Sequence, residues 1–465
     1  MGSNRTCTVV SVRGALTVGL LLIAALPPAP LRGGVGGGVL SAQSALKTIS
    51  HHRSFAASNY CIYPDENLPK LTPAPKGKKP FYISHYGRHG SRYLNDRKAF
   101  DKPLRMLQQA DSIGQLTTTG RKVLETVQRI INDSENRWGD LTGFGHKQHN
   151  DIARRMTENF PEIFSGDAHI DARSTTVNRC ILSMGAAMQE LARNNQRLQI
   201  SMEATKRDLW YMNFQDPLLR KNAMTPEAEQ AYNAFSTPLD GNPRLMKLVF
   251  QEPDSVRDFV DEAWFNYYLI KMGLFQLNTI NYLDTYLTDI FTDEEIHRLW
   301  QQENAWWYIQ HGFCPLNGGR QPYTQRHLLR KIINDADSCL RLEKPGAQLR
   351  FGHETVLLPL TCLIGLKLGP DKYDTPETQF DLETADLSEL ERRGWWGTRA
   401  FPMGSNIQFI FYRHDPSDQD VLFKVLLNEH EATLPIETDH PPYYRWEDFR
   451  KHYLKKLDDY EQTLK

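Results

Sequence analysis

Residues 81 to 92 read Phe-Tyr-Ile-Ser-His-Tyr-Gly-Arg-His-Gly-Ser-Arg, which places Arg88, His89 and Arg92 in one short glycine-flanked segment. Two planar guanidiniums at this spacing suit bidentate pairing with the oxygens of a phosphate group. An imidazole between two such cations is held neutral, so one ring nitrogen keeps a lone pair for attack on phosphorus. Gly87 and Gly90 lack Cβ atoms. They are expected to let the backbone take positive φ and to leave its N–H groups open to an incoming anion. A surface loop with solvated basic residues is the plain alternative for an isolated Arg-His-Gly. The longer Arg-His-Gly-Ser-Arg pattern behind a strand argues against it.

Elements that can carry this turn are legible around it. The alternation before Gly87 predicts a strand running into the turn. Further on, Ala168–Ala172 predicts a second strand with Arg173 at its end, and Ser174 or Thr175 is placed to cap a helix with Val177, Ile181, Met184, Met188 and Leu191 on one face. A third junction comes at Gln348–Gly352, followed by His353, Glu354 and an apolar helix from Val356 to Leu366. Ligands of open α/β sheets bind beyond the carboxyl ends of strands, where helix N-termini also point. Arg173 and His353 are therefore expected beside Arg88 and Arg92 as phosphate ligands.

The remaining elements frame these junctions. Phe100–Ala110 and Thr119–Ile131 predict helices covering the sheet, and Ile152, Met156 and Phe160 mark another. Between about 205 and 334 the chain turns aromatic-rich and helical. Ala263–Leu277 and Asn281–Phe291 are amphipathic there, and Thr292-Asp293-Glu294-Glu295 reads as a capping box. Ile407–Tyr412 and Val421–Leu427 alternate as strands, and Trp446–Leu464 predicts a closing helix. The fold class expected is α/β, a mixed sheet flanked by helices with an inserted all-helical cap. The boundaries are 43–204 and 335–465 for the sheet domain and 205–334 for the cap.

Composition narrows the function classes. The first 42 residues hold Arg5, Arg13 and an apolar run from Ala15 to Leu26, and read as a secretory leader too short to span a bilayer comfortably. Its loss removes three arginines and no acid, taking the formal charge from −1 to −4, which is not the balance of a nucleic-acid binder. Export would put the protein in a periplasmic or extracellular space without stable membrane insertion. Five cysteines then remain, Cys61, Cys180, Cys314, Cys339 and Cys362, which permit at most two disulfides. Cys180 and Cys362 sit in apolar stretches that favour buried thiols. His146, His149 and Asp151 are near enough in sequence to suggest a metal cluster, but exposed polar residues on a helix account for them equally well.

The Arg88-His89-Gly90-Ser91-Arg92 turn, Arg173-Ser174-Thr175 and Gly352-His353-Glu354-Thr355, in this order, resemble the histidine acid phosphatases. Within them the chain is similar to the branch of multiple inositol-polyphosphate phosphatases and phytases. Leu141-Thr142 with Gly145, Met403–Gln408 and Leu426–Glu429 extend the similarity over nearly the whole mature chain. The resemblance implies His89 as nucleophile, Arg88, Arg92, Arg173 and His353 as phosphate ligands, Glu354 as proton donor, and no metal or other cofactor. It implies a small phosphate ester as substrate, inositol hexakisphosphate foremost. Relatives in this branch usually carry His-Ala-Glu or His-Asp where this chain has His353-Glu354, so the acid is the departure from the pattern. Competing readings are a broad-specificity acid phosphatase on sugar phosphates or bisphosphoglycerate, a non-catalytic phosphate-ligand binder, and a phosphoglycerate-mutase-like transferase.

Overall fold

In the computed structural model, residues 45–65, 68–279, 287–371 and 375–464 are described. The leader read over 1–42 lies outside them, as does most of the helix expected at Asn281–Phe291; Leu287–Ile290 forms a short 3-10 turn. No helix among the described residues is long and apolar enough to cross a membrane.

An eight-stranded mixed sheet organises the chain. Its strands are β1 (Lys79–Arg88), β2 (His169–Ser174), β3 (Gln199–Glu203), β4 (Gly346–Gly352), β5 (Asn406–Arg413), β6 (Leu422–Leu427), β7 (His430–Ala432) and β8 (Tyr444–Arg445). Their order is β8-β6-β5-β1-β4-β2-β3, with β7 on the side of β6. β1, β4, β2 and β3 run parallel, while β5 joins β1 antiparallel. The central strands are buried along nearly their whole length, as strands covered on both faces must be. The register sets Arg88 opposite Gly352, so the catalytic-turn candidate and the His353 junction leave the sheet side by side.

The helices that matter here are α1 (Arg97–Ser112), α2 (Thr118–Ser134), α3 (Gly143–Asn159), α4 (Asn178–Asn194), α5 (Pro226–Asp240), α6 (Pro243–Val249), α7 (Glu262–Thr279), α8 (Asp293–His311), α9 (Arg326–Cys339), α10 (Glu354–Ile364) and α11 (Trp446–Gln462). One sheet face packs Ile83, Ile170, Leu349 and Ile410 against Met156 of α3 and Met184, Met188 and Leu191 of α4. The other packs Tyr82, Tyr86, Phe409 and Phe411 against α9, α10 and α11.

Helices α1 and α2 do not cover the sheet, contrary to the expectation from their periodicity. Their apolar residues Phe100, Leu104, Val123, Val127 and Ile130 join Leu245, Val249, Phe265 and Leu269 of α6 and α7 in a separate helical core. An amphipathic stripe specifies that a face is buried and not what buries it. Between β3 and β4 the described chain is helical, and the capping box at Thr292 and Glu295 opens α8 as its residues predict.

Candidate active site

His89 lies immediately beyond β1 and is fully buried. Its Nδ1 stands 2.8 Å from the Gly90 carbonyl, an acceptor, so Nδ1 carries the proton and the lone pair is left on Nε2. Nε2 has no hydrogen-bond partner among the described residues, and the nearest carboxylate oxygen is Glu354 Oε2 at 3.7 Å. Burial, then the charges of Arg179, Arg88 and Arg92, hold the ring well below the usual histidine pKa. A neutral imidazole with one nitrogen tied back and the other bare is a nucleophile in waiting.

The backbone of the turn does not bind an anion, as the glycines suggested it could. Its N–H groups are already engaged: Arg88 with the Ser405 carbonyl at 2.7 Å, His89 with the Gly352 carbonyl at 3.0 Å, Gly90 with Ser183 Oγ at 3.1 Å and Ser91 with Gln148 Oε1 at 2.8 Å. Neither Gly87 nor Gly90 takes positive φ. Glycine is required for room instead. A Cβ on Gly90 would lie 2.3 Å from the Gly145 carbonyl oxygen, and one on Gly87 would lie 2.7 Å from the His85 ring.

Anion binding falls to side chains. Arg88 is completely buried and donates to the carbonyls of Phe401 and Asn59 at 2.6 and 2.7 Å and to Glu354 at 3.1 Å, leaving two of its five N–H groups unspent. Arg92 is held by the Tyr60 hydroxyl at 2.7 Å and the Tyr93 carbonyl, with its guanidinium over the Tyr60 ring at 4.6 Å and its Nε without a partner among the described residues. His353 occupies the N-cap position of α10 with its ring 5.8 Å from that of His89. Its Nε2 meets Thr175 Oγ1 at 3.2 Å, and burial takes it down to about 4. Glu354 begins α10. Burial pushes its carboxyl up, but Arg88, Arg92 and His353 outweigh that and set it at about 2, so it is ionised in the resting site.

Arg173 does not join this cluster. Its guanidinium is committed to Asp171 at 3.2 Å and to Glu203 and Asp208 at 2.8 Å each. Strand alternation explains it, because Asp171 and Arg173 project from the same side of β2 and Glu203 sits opposite Arg173 on β3. Ser174 and Thr175 do not cap a helix either: the helix starts at Asn178, and Thr175 instead steadies His353.

The cation that sequence reasoning missed is Arg179, in the first turn of α4. It acts on the His89 ring more strongly than Arg88 or Arg92, and its half-buried side chain has a partnerless Nε among the described residues. The available signal was position, since Arg179 is the second residue of the helix that follows β2. His89, His353 and Glu354 bring one donor atom each within 4.8 Å, as a metal triad would. With Arg88, Arg92 and Arg179 around them, the field favours an anion.

His146, His149 and Asp151 diverge. His149 is buried under the turn, His146 is exposed, and Asp151 pairs with Lys147 and Arg154. The five cysteines are buried free thiols, with no disulfide among the described residues.

The buried histidines carry a pH signature. Burial lowers His85 to about 3 and His149 and His353 to about 4, whereas unfolded histidine protonates near 6.5. As pH falls from about 6.5 toward 4, the unfolded chain gains protons that the fold excludes, so stability drops, by about 1.4 kcal/mol per pH unit for each such histidine. The melting temperature is expected to fall steadily between pH 7 and pH 4.5. A flat profile would show that these rings are protonated or solvated in the fold.

Three comparisons bear on this geometry. A family model described as the histidine phosphatase superfamily (branch 2) matches residues 87–428. A search of curated proteins found no match. Among solved structures, the multiple inositol polyphosphate phosphatase of Bifidobacterium longum in complex with inositol hexasulfate aligns with a TM-score of 0.68 at 17% identity, covering 86% of this chain and 97% of that one. The phytase of D. castellii aligns with a TM-score of 0.58 at 14% identity, covering 87% and 85%.

Proposed function

Because the chain belongs to the histidine phosphatase superfamily (branch 2) and is a phosphatase, we propose that it hydrolyses phosphate monoesters through a phosphohistidine on His89. The observation that carries the proposal is the buried, unpartnered Nε2 of His89, with Nδ1 tied to the Gly90 carbonyl amid Arg88, Arg92 and Arg179. Phosphoryl transfer asks the protein mainly for position and charge, which these groups supply. Nε2 attacks phosphorus, the P–O ester bond breaks, and the leaving oxygen takes a proton from Glu354. Water then attacks phosphorus, the N–P bond breaks, and Glu354 receives the water proton.

Substrates of the inositol polyphosphate class are proposed on chemistry as well as fold. The Bifidobacterium longum neighbour was solved with inositol hexasulfate, a polyanionic ring. Phosphate release measured on inositol hexakisphosphate, glucose phosphate, bisphosphoglycerate and an aryl phosphate tests the reading. The highest kcat/KM is expected on inositol hexakisphosphate. A higher value on the simple esters would point to broad specificity, and release from none of them would end the proposal.

Glu354 is an anion in the free site, so the proton it donates arrives with the substrate. Phosphate monoesters lose their second proton near pH 6, and kcat/KM is expected to fall as pH rises beyond that. Glu354→Gln should slow esters with sugar-like leaving groups by about 10²-fold and aryl phosphates far less, because an aryl oxide leaves without help. Equal losses on both would assign Glu354 to orienting Arg88.

Export to the periplasm or medium is part of the same reading and rests on the first 42 residues. The intact mass of exported protein should correspond to a start between about Pro27 and Ser44. A mass that includes Met1 would place the protein inside the cell.

A further inference from the structure

The turn that carries His89 has partners beyond its phosphate ligands, and those of Ser91 come from the segment that opens α3. Ser91 is pinned in both directions. Its N–H donates to Gln148 Oε1 at 2.8 Å, and its carbonyl accepts from Thr142 N at 2.9 Å and Thr142 Oγ1 at 3.0 Å. One residue further along α3, the buried His149 ring packs on Phe351 of β4, with the ring centroids 5.6 Å apart. Gly90 and Gly145 interlock so closely that a Cβ on Gly145 would lie 2.2 Å from the Ser91 carbonyl oxygen. Gln148 is only 2% exposed, and Ser183, which accepts from the Gly90 N–H at 3.1 Å, is fully buried.

We propose that Gln148, together with Ser183 of α4, positions the nucleophile: the two side chains grip the Ser91 and Gly90 N–H groups just beyond His89 and so set the direction in which Nε2 faces the bound phosphate. This rests on the phosphatase reading above. The grip is polar and short-range, and the turn's backbone groups are buried. Losing Gln148 Oε1 leaves the Ser91 N–H without an acceptor, and the turn relieves that cost by shifting. A displacement of about 1 Å at a reacting group costs on the order of 10²-fold in rate. Arg92 and Arg179 are held by other elements, Tyr60 and the first turn of α4, so phosphate binding survives the shift.

The experiment compares Gln148→Met, which keeps the bulk and deletes the acceptor, with Gln148→Glu, which keeps it. Gln148→Met is expected to lower kcat by about 10- to 100-fold while the inhibition constant of orthophosphate stays within about twofold. Gln148→Glu should recover most of the rate. Ser183→Ala, which deletes the acceptor of the Gly90 N–H, is measured in parallel and should show the same split, which keeps the test open if Gln148→Met does not fold. A kcat at the parent value in either deletion variant, whatever its melting temperature, overturns the proposal. So does orthophosphate affinity that falls in step with kcat. The parent and His89→Asn run in the same assay. If those two behave as a phosphohistidine enzyme requires and the Gln148 and Ser183 variants do not, the positioning role alone fails.

Discussion

His89→Asn is expected to lower kcat by at least about 10³-fold, with orthophosphate still bound at close to the parent affinity. Asparagine keeps an amide where Nδ1 meets the Gly90 carbonyl but places nothing at Nε2, so the change removes the attacking lone pair and little else. Because His89 is neutral in the fold, no buried charge is orphaned and the melting temperature should move little. Rapid quenching of the parent in alkali with labelled ester should leave label on His89. Turnover at the parent rate in His89→Asn would show that another group attacks phosphorus.

The second large effect separates two arginines six residues apart. Arg179→Ala should cost about 10²- to 10³-fold in kcat/KM, the scale of losing one charged donor from a transition-state anion site. Its Nε has no partner among the described residues, and its field bears on both His89 and His353. Arg173→Ala should leave kcat/KM within about threefold of the parent and lower stability by about 1 kcal/mol. It strips the cation from Asp171, Glu203 and Asp208 at a partly exposed strand edge. Kinetics and melting curves on both variants decide the matter, and the reverse pattern would return Arg173 to the phosphate site.

These two arginines mark the boundary between what residue order can specify and what it cannot. The Arg-His-Gly-Ser-Arg segment names its own chemistry, because a histidine flanked by guanidiniums in a tight turn has few other uses. The alternation before it and the apolar run after His353 are local patterns, and β1, β4 and α10 form where those patterns lie. Chain order also told that His353 and Glu354 follow a strand into a helix, and parallel pairing of β1 with β4 brings them to His89. The family was legible for the same reason, since each of its three signature segments is a run of neighbouring residues.

Three features depended on how the elements pack. Strand parity turned Arg173 toward the β3 edge, while the direction of α4 turned Arg179 inward, and neither orientation is encoded at the residue itself. The glycines of the turn looked like conformational hinges and are steric clearances, a distinction that exists only once Gly145 and His85 have arrived against them. The faces of α1 and α2 announced burial, but their partners on α6 and α7 lie more than a hundred residues away in sequence. Local interactions are written in neighbouring residues. The destination of a side chain and the use of a buried N–H are set by which distant surfaces close around them, and that only the tertiary structure decided.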